Sequence, residues 1–144
     1  MKTRIYMILL LGLIVLLPLT AQNSYTIIVN KSARNETLTR SNLENIFLGK
    51  KSRWSDGTKI KPVNLKEGET YRAFIKEVVR KSTNAYMNYW RKMIFTGKGV
   101  MPVSFQDEEE LINYVGRTEG AIGYISSADM INGNDDVQIL TLSD

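Results

Sequence analysis

Apolar stretches and amphipathic stretches alternate along the chain, and they predict that strands and helices follow one another. Residues 25–29 are apolar and largely β-branched, which predicts an interior strand covered on both faces. Residues 38–48 place apolar side chains at helical spacing and predict the first helix, with Thr39 or Ser41 as its N-cap. Residues 59–65 alternate between apolar and polar and predict a second strand.

The clearest helix follows the second strand, because apolar residues recur there every three or four positions. Its buried stripe consists of Tyr71, Phe74, Ile75, Val78 and Val79. Further along the chain, the pattern predicts helices at residues 83–94 and 104–115 and strands at residues 120–125 and 137–142. This order of elements predicts an α/β sandwich with a mainly parallel, partly mixed sheet flanked by helices.

Residues 1–21 have the pattern of a secretory signal peptide. Lys2 and Arg4 precede a long apolar run, and we expect cleavage after Ala21. A membrane anchor is the alternative, but the apolar run is shorter than the roughly 20 residues that a spanning helix needs. Residues 22–144 are then expected to form one domain, located in the periplasm or secreted.

Charge is distributed unevenly along the sequence, although the formal net charge is only +4. Residues 50–98 contain 13 Lys or Arg and 4 acidic residues, whereas residues 99–144 contain one arginine and 9 acidic residues. The two segments could pair across the folded surface, or they could steer anions towards one face. Basic runs interleaved with exposed aromatic residues are missing, so we expect no nucleic-acid partner.

The sequence contains no histidine and no cysteine, so the usual general bases, thiol nucleophiles and zinc ligands are largely missing. Residues 107–110 are four consecutive acids near the start of a predicted helix, where the helix dipole favours negative charge. A metal site is the alternative, but consecutive acids point in different directions around a helix. We therefore predict neither an enzyme nor a bound metal or other cofactor.

The loop of residues 66–72 joins the second strand to the clearest helix and is the candidate binding site. A helix N-terminus offers unpaired N–H groups, and a glycine-containing loop before it can cradle phosphate or a carboxylate. Thr70 offers a hydroxyl and Arg72 a forked set of donors, and both are suited to an oxyanion. Glu69 would repel an anion and could instead cap the helix. The predicted site residues are Gly68, Glu69, Thr70 and Arg72.

Four blocks of sequence, taken together, resemble one known family. They are LENIFLGKK at 43–51 followed by Trp54, PVNL at 62–65 followed by Glu67 and Gly68, YW at 89–90 with IFTGKG at 94–99, and GAIGYI at 120–125. In this order they resemble the periplasmic phosphate-binding proteins of ABC transporters. The resemblance is to short, one-lobe relatives of this type II periplasmic binding-protein superfamily.

The resemblance implies an α/β lobe, export to the periplasm and an ancestry in oxyanion binding, with phosphate as the first candidate ligand. Phosphate sites of the family use an acidic-Gly-Ser-Gly-Thr-like loop at a helix start, with an arginine nearby. Glu67 and Gly68 match the first two positions, and Arg72 stands where short relatives also carry arginine. The other three positions of the loop are replaced here by Glu69, Thr70 and Tyr71.

Two hypotheses of function follow from the loop and the resemblance. The first is a periplasmic substrate-binding-protein-like domain that binds phosphate or another small oxyanion, with an ABC permease as its partner. The second is a cell-envelope interaction or assembly module that has lost ligand binding. Such a module would bind an envelope protein or a second copy of itself, as a homo-oligomer.

Overall fold

The computed structural model of the protein describes residues 24–143, so the predicted signal peptide lies outside the described residues. The strands are β1 (Thr26–Asn30), β2 (Leu38–Thr39), β3 (Lys61–Leu65), β4 (Val103–Phe105), β5 (Ala121–Ile125), β6 (Val137–Ile139) and β7 (Leu142–Ser143). The α-helices are α1 (Arg40–Phe47), α2 (Glu69–Phe74), α3 (Thr83–Phe95) and α4 (Glu108–Arg117). A π-helical segment (Ile75–Val79) continues α2, and short 3₁₀ helices form at Lys31–Ala33 and Ala128–Ile131. No helix within the described range is long and apolar enough to span a membrane.

Five strands form one sheet in the order β4-β3-β5-β1-β6, and β2 and β7 form a separate parallel pair. In the large sheet, β3 runs parallel to β4 and β5, whereas β1 runs antiparallel to β5 and β6. Across residues 24–143, three of the five strand pairings are therefore parallel and two are antiparallel. The predicted mainly parallel, partly mixed sheet is confirmed, and β1 is an interior strand as expected.

Helices cover both faces of the sheet, and two consecutive residues of β5 define the faces. A Cβ atom at Gly123 would lie 2.9 Å from Leu111, so α4 packs very closely on this face. The next residue, Tyr124, points to the opposite face, where its ring stacks on Phe74 of α2 with the ring centroids 3.8 Å apart. The chain is thus the predicted α/β sandwich.

A buried hydrogen-bond network joins the sheet to α1 and α3 on the α2 face. The Nδ2 atom of Asn64, a residue only 1% exposed, donates to the Tyr86 hydroxyl over 3.0 Å, and its Oδ1 accepts from the Tyr124 hydroxyl over 3.2 Å. Tyr86 donates in turn to the carbonyl oxygen of Phe47, and the N–H of Leu65 donates to Tyr124. Burial raises the pKa of Tyr86 to about 12, so this hydroxyl keeps its proton at neutral pH.

The first helix begins at Arg40, directly after one of its two predicted caps. Residues 38–39 are not helical but form β2, which pairs with β7. Thr39 is the N-cap: its hydroxyl accepts from the N–H of Asn42, and the Asn42 side chain accepts from the N–H of Thr39. This capping box fixes the helix start at Arg40. Thr39 was therefore the correct one of the two predicted caps.

The prediction was also wrong around residue 104, which lies in β4 instead of a helix. A strand of three residues shows too little alternation to be recognised in a sequence. The helix starts only at Glu108, because Asp107 caps it by accepting from the N–H of Glu110 over 2.9 Å. The interpretation of these acids as helix-capping residues is thus confirmed for Asp107. Among residues 24–143, no group of three or more His, Cys, Asp or Glu could hold a metal ion.

The last predicted strand, at residues 137–142, is in fact two strands in different sheets. β6 lies at the edge of the large sheet, whereas β7 pairs with β2. The chain leaves the large sheet after Leu140, whose N–H donates to the carbonyl oxygen of Ile27 over 2.9 Å. The sequence pattern does not reveal this change of partner strand. Both strands contain half-buried positions, so the pattern looks like that of one continuous strand.

The acids at the start of α4 and the basic residues of α2 and α3 lie on opposite faces of the sheet. The acids at the start of α4 lie on one face, whereas α2, its π-helical continuation and α3 carry basic residues on the other. The single ion pair among residues 24–143 joins Lys31 to Asp136, with 2.6 Å between Nζ and Oδ1. Neither residue belongs to the basic segment at 50–98. The hypothesis that the two segments pair with each other is therefore wrong for the described residues.

Candidate binding site at the carboxyl edge of the sheet

Four loops lie where strands of the large sheet end, on one side of the sheet. We call this row of strand ends the carboxyl edge. The loops follow β3, β4, β5 and β6, which all run in the same direction. The candidate loop, residues 66–68, is tied to the end of β4 and to the loop after it: the N–H of Lys66 donates to the carbonyl oxygen of Phe105 over 2.9 Å. Gln106 also donates to the Glu67 carboxylate, over 3.2 Å. Ligand sites of open α/β sheets lie at such an edge.

The helix at this edge, α2, begins with a residue that supplies no side-chain cap. Gly68 is the N-cap with φ 105° and ψ 176°, and an added Cβ would meet no atom within 4 Å. The other α-helices of the described chain have side-chain caps, from Thr39, Ser82 and Asp107. The first N–H groups of α2 therefore lack the side-chain acceptor that the other helices have, and an external anion could take its place.

A depression of about 310 Å³ lies beside the start of α2. It is lined by Lys66, Glu67, Gly68, Tyr71, Arg72, Thr83, Asn84 and Met87. Of the four predicted site residues, Gly68 and Arg72 belong to this lining, whereas Glu69 and Thr70 do not. Glu69 is exposed and Thr70 is half-buried. The structure thus brings the glycine and the arginine together and leaves the other two residues outside the depression.

The formal charges around the start of α2 cancel. Lys66 and Arg72 contribute two positive charges, and Glu67 and Glu69 contribute two negative charges. Glu69 makes no capping hydrogen bond, so at the first position of α2 it can favour the helix only through the helix dipole. An oxyanion in the depression would therefore be attracted mainly by backbone N–H groups and by Arg72.

Two lining residues that the sequence did not suggest come from the start of α3. Thr83 and Asn84 follow Ser82, whose hydroxyl caps α3 by accepting from the N–H of Ala85 over 3.1 Å. A serine followed by an amphipathic pattern is a recognisable helix start. Nothing in the sequence, however, indicates that this second helix start lies beside the first.

A second depression, of about 620 Å³, lies at the same edge next to β1, β5 and β6. Its polar lining includes Tyr25, Arg40, Ser126, Ser127, Asp129 and Thr141. The protein already uses several of these groups: Arg40 Nη1 lies 3.4 Å from the Tyr25 hydroxyl oxygen, and Ser126 Oγ donates to Glu108 over 2.8 Å. Two serines directly after a predicted strand were the only sequence signal for this depression.

Several solved structures are similar to this chain. PstS from Borrelia burgdorferi has a TM-score of 0.63 at 17% identity, over 83% of this chain and 47% of its own. An ABC-type phosphate transport receptor from Vibrio cholerae has a TM-score of 0.59 at 16% identity, over 84% of this chain and 47% of its own. A putative phosphate ABC transporter substrate-binding protein from Clostridium perfringens, solved with bound phosphate, has a TM-score of 0.60 at 20% identity, over 83% of this chain and 44% of its own.

These similarities concern the fold, since identity is low throughout. No protein-family model and no curated protein sequence matches the chain. The chain spans less than half the length of each of these solved proteins. The resemblance found in the sequence is confirmed for the fold: the chain shares the α/β fold of somewhat less than half of each of these solved proteins.

Proposed function

We propose that the chain is a substrate-binding-protein-like domain that binds phosphate or another small oxyanion at the start of α2. The observation that supports this proposal is the uncapped N-terminus of α2 behind Gly68, next to Arg72. The ligand class agrees with the similar protein from Clostridium perfringens, which was solved with bound phosphate. The proposed role is binding without catalysis.

The proposal includes a location and a partner. Residues 1–21 would direct export and be removed, which leaves residues 22–144 in the periplasm or outside the cell. An ABC permease is the proposed partner, because the similar solved proteins include a phosphate transport receptor and a putative ABC transporter substrate-binding protein.

Each part of the site would have a separate role. The N–H groups of Gly68 and Tyr71, two residues at the start of α2 that line the depression, would hold the oxyanion. Arg72 would add a forked pair of charge-assisted hydrogen bonds. Glu67 and Glu69 oppose the anion, since like charges about 4 Å apart repel by roughly 1 kcal/mol even in water. Weak binding is therefore expected.

We expect phosphate at millimolar concentration to raise the melting temperature of the protein by a few degrees, because a ligand of the folded state stabilises it. Arg72→Ala should remove most of this rise. The measurement is thermal unfolding with sodium phosphate and with sodium chloride of equal ionic strength. Arg117→Ala, which removes the same charge from the end of α4, is the matched control. An equal rise in both variants, or no rise in the unmodified protein, would contradict the proposal.

The second candidate function, an envelope interaction or assembly module, is favoured by a different observation. Three large apolar side chains near the end of α3 are exposed: Ile94 by 52%, Phe95 by 93% and Val100 by 88%. The edge strand β4 follows, with Val103 exposed by 50%. Exposed apolar side chains close together in the chain, next to an unpaired strand edge, are typical of protein interaction surfaces.

For this candidate we expect the protein to form a dimer whose stability does not depend on phosphate. Phe95→Ser should shift the dimer to monomer, because it removes the most exposed large apolar side chain. Size-exclusion chromatography with light scattering measures the mass over a range of concentrations. Ile139→Ser is the control, since Ile139 is 49% exposed on the opposite edge strand, β6. A monomer at all concentrations would count against self-association.

A further inference from the structure

A groove that carries more positive charge than the proposed site lies next to that site. It has a volume of about 570 Å³ and runs along α2, its π-helical continuation and the start of α3. Its lining consists of Arg72, Lys76, Arg80, Lys81, Ser82 and Thr83, and we call it the basic groove. Arg72 and Thr83 also line the depression at the start of α2, so the two spaces are direct neighbours.

The basic groove carries four positive side chains, and its lining contains no acid. Arg72, Lys76 and Arg80 recur every four residues, which places them along one side of the helix. Within residues 24–143 none of the four cations belongs to an ion pair, because the one ion pair there joins Lys31 and Asp136. Four unpaired like charges repel one another, and an anion in the groove would relieve this repulsion.

Arg80 holds a backbone conformation that glycine would adopt more easily. Its φ is 57° and its ψ is 37°, and no other non-glycine residue of the described chain has a positive φ. After α1 and α3, the corresponding left-handed positions are occupied by Gly49 and Gly97. The chain therefore places an arginine where a glycine would fit with less strain. Strain of this kind is common at binding sites, because the side chain is needed there.

The length of the groove indicates the kind of anion that would fill it. Arg72 and Arg80 are eight residues apart, which is on the order of 10 Å along the helix. A chain of linked phosphates could therefore follow the groove from one arginine to the other. Arg72 already belongs to the start of α2, where the charges cancel, whereas Lys76, Arg80 and Lys81 add three positive charges to the groove. Phosphates beyond the first would therefore meet the more positive part of the two spaces.

We propose that the basic groove binds an anion with several linked phosphate groups, such as a short linear oligophosphate. The terminal phosphate would lie beside Arg72 and Thr83, which line both spaces, and the following phosphates would contact Lys76, Arg80 and Lys81. This inference rests on the proposed function, because it extends the same site. Phosphorylated lipid headgroups offer related chemistry, and the experiment separates them from a soluble chain.

The test compares orthophosphate, tripolyphosphate and citrate by isothermal titration calorimetry of the purified protein. We expect tripolyphosphate to bind about tenfold more tightly than orthophosphate at low ionic strength, and less so in high salt. Citrate, a trianion without phosphate, should not show this gain.

The decisive variant is Arg80→Gly, because it removes the charge and also removes the strained backbone. We expect it to weaken tripolyphosphate binding about tenfold, to leave orthophosphate binding unchanged, and to keep or raise the melting temperature. Arg80→Lys should restore most of the affinity. Lys98→Ala is the charge-matched control outside the groove, and it should change neither ligand's affinity.

The outcomes distinguish the two proposals. Equal affinity for orthophosphate and tripolyphosphate, or no effect of Arg80→Gly on the affinity for tripolyphosphate, would contradict oligophosphate binding in the basic groove. The proposed function would remain intact. Failure of both phosphates to bind would overturn both. Binding to vesicles that contain phosphatidic acid, without binding of tripolyphosphate, would also overturn the groove as a site for soluble oligophosphates.

Discussion

Replacing Gly120 with alanine is expected to lower the free energy of unfolding by about 3–4 kcal/mol. Gly120 has a φ of 77°, and an added Cβ would lie 2.1 Å from the backbone oxygen of Lys59. The backbone cannot easily shift to relieve this clash. The carbonyl oxygen of Gly120 accepts from the N–H of Lys61 and from Trp54 Nε1, each over 3.0 Å, and its own N–H donates to Ser32.

Urea denaturation monitored by tryptophan fluorescence measures this loss. Gly133→Ala is the matched control, because Gly133 has a φ of 76° and an added Cβ there would meet no atom within 4 Å. The control introduces only the backbone strain, for which we expect about 1 kcal/mol. Equal losses in the two variants would show that the contact with Lys59 is not the cause.

The second large effect is expected at Asn64, where Asn64→Leu should lower the free energy of unfolding by about 3 kcal/mol. Leucine is similar in size but cannot accept from the Tyr124 hydroxyl or donate to Tyr86. Both hydroxyls are buried and would lose a partner that water cannot replace. Burial raises the pKa of Tyr124, like that of Tyr86, so both hydroxyls stay protonated at neutral pH.

Urea denaturation again gives the value, and a double-mutant cycle with Tyr124→Phe isolates the contact between the two residues. Because the pair shares a hydrogen bond, the combined variant should lose less than the sum of the single losses. Asn113→Leu, at an exposed position of α4, is the control and should change stability by less than about 0.5 kcal/mol. Additive losses would mean that the hydrogen bond between Asn64 and Tyr124 contributes little.

The main elements of the fold could be predicted because each has enough apolar positions to show its period. Residues 25–29 and the stripe from Tyr71 to Val79 are examples. The stripe did not reveal that the helix changes from α to π at Ile75, since both forms bury the same residues. β4 was missed because three residues carry no recognisable period. The antiparallel direction of β1 also escaped prediction, because strand direction depends on distant partners.

The candidate site was predicted in part, for similar reasons. The loop after β3 could be found because a strand, a glycine and a helix follow one another in the sequence. Its neighbours could not be found, because Thr83 and Asn84 come to it from another helix. Of the two hypotheses for the charged segments, pairing was wrong, since the sequence does not show that the acids of α4 and the basic helices lie on opposite faces of the sheet. The roles of Glu69 and Thr70 remain predictions, and the structure places both outside the depression.

The two faces of the sheet differ in charge, with the acids at the start of α4 on one face and the basic groove on the other. The protein's net charge of +4 describes only the sum, whereas a charged partner at short range meets either the basic side with α2 and α3 or the acidic side with α4. An anionic partner would rotate the protein before contact, so that the basic groove arrives first. At higher ionic strength the two molecules would associate more slowly and would be less well oriented before contact, even when the strength of the final contacts changes little.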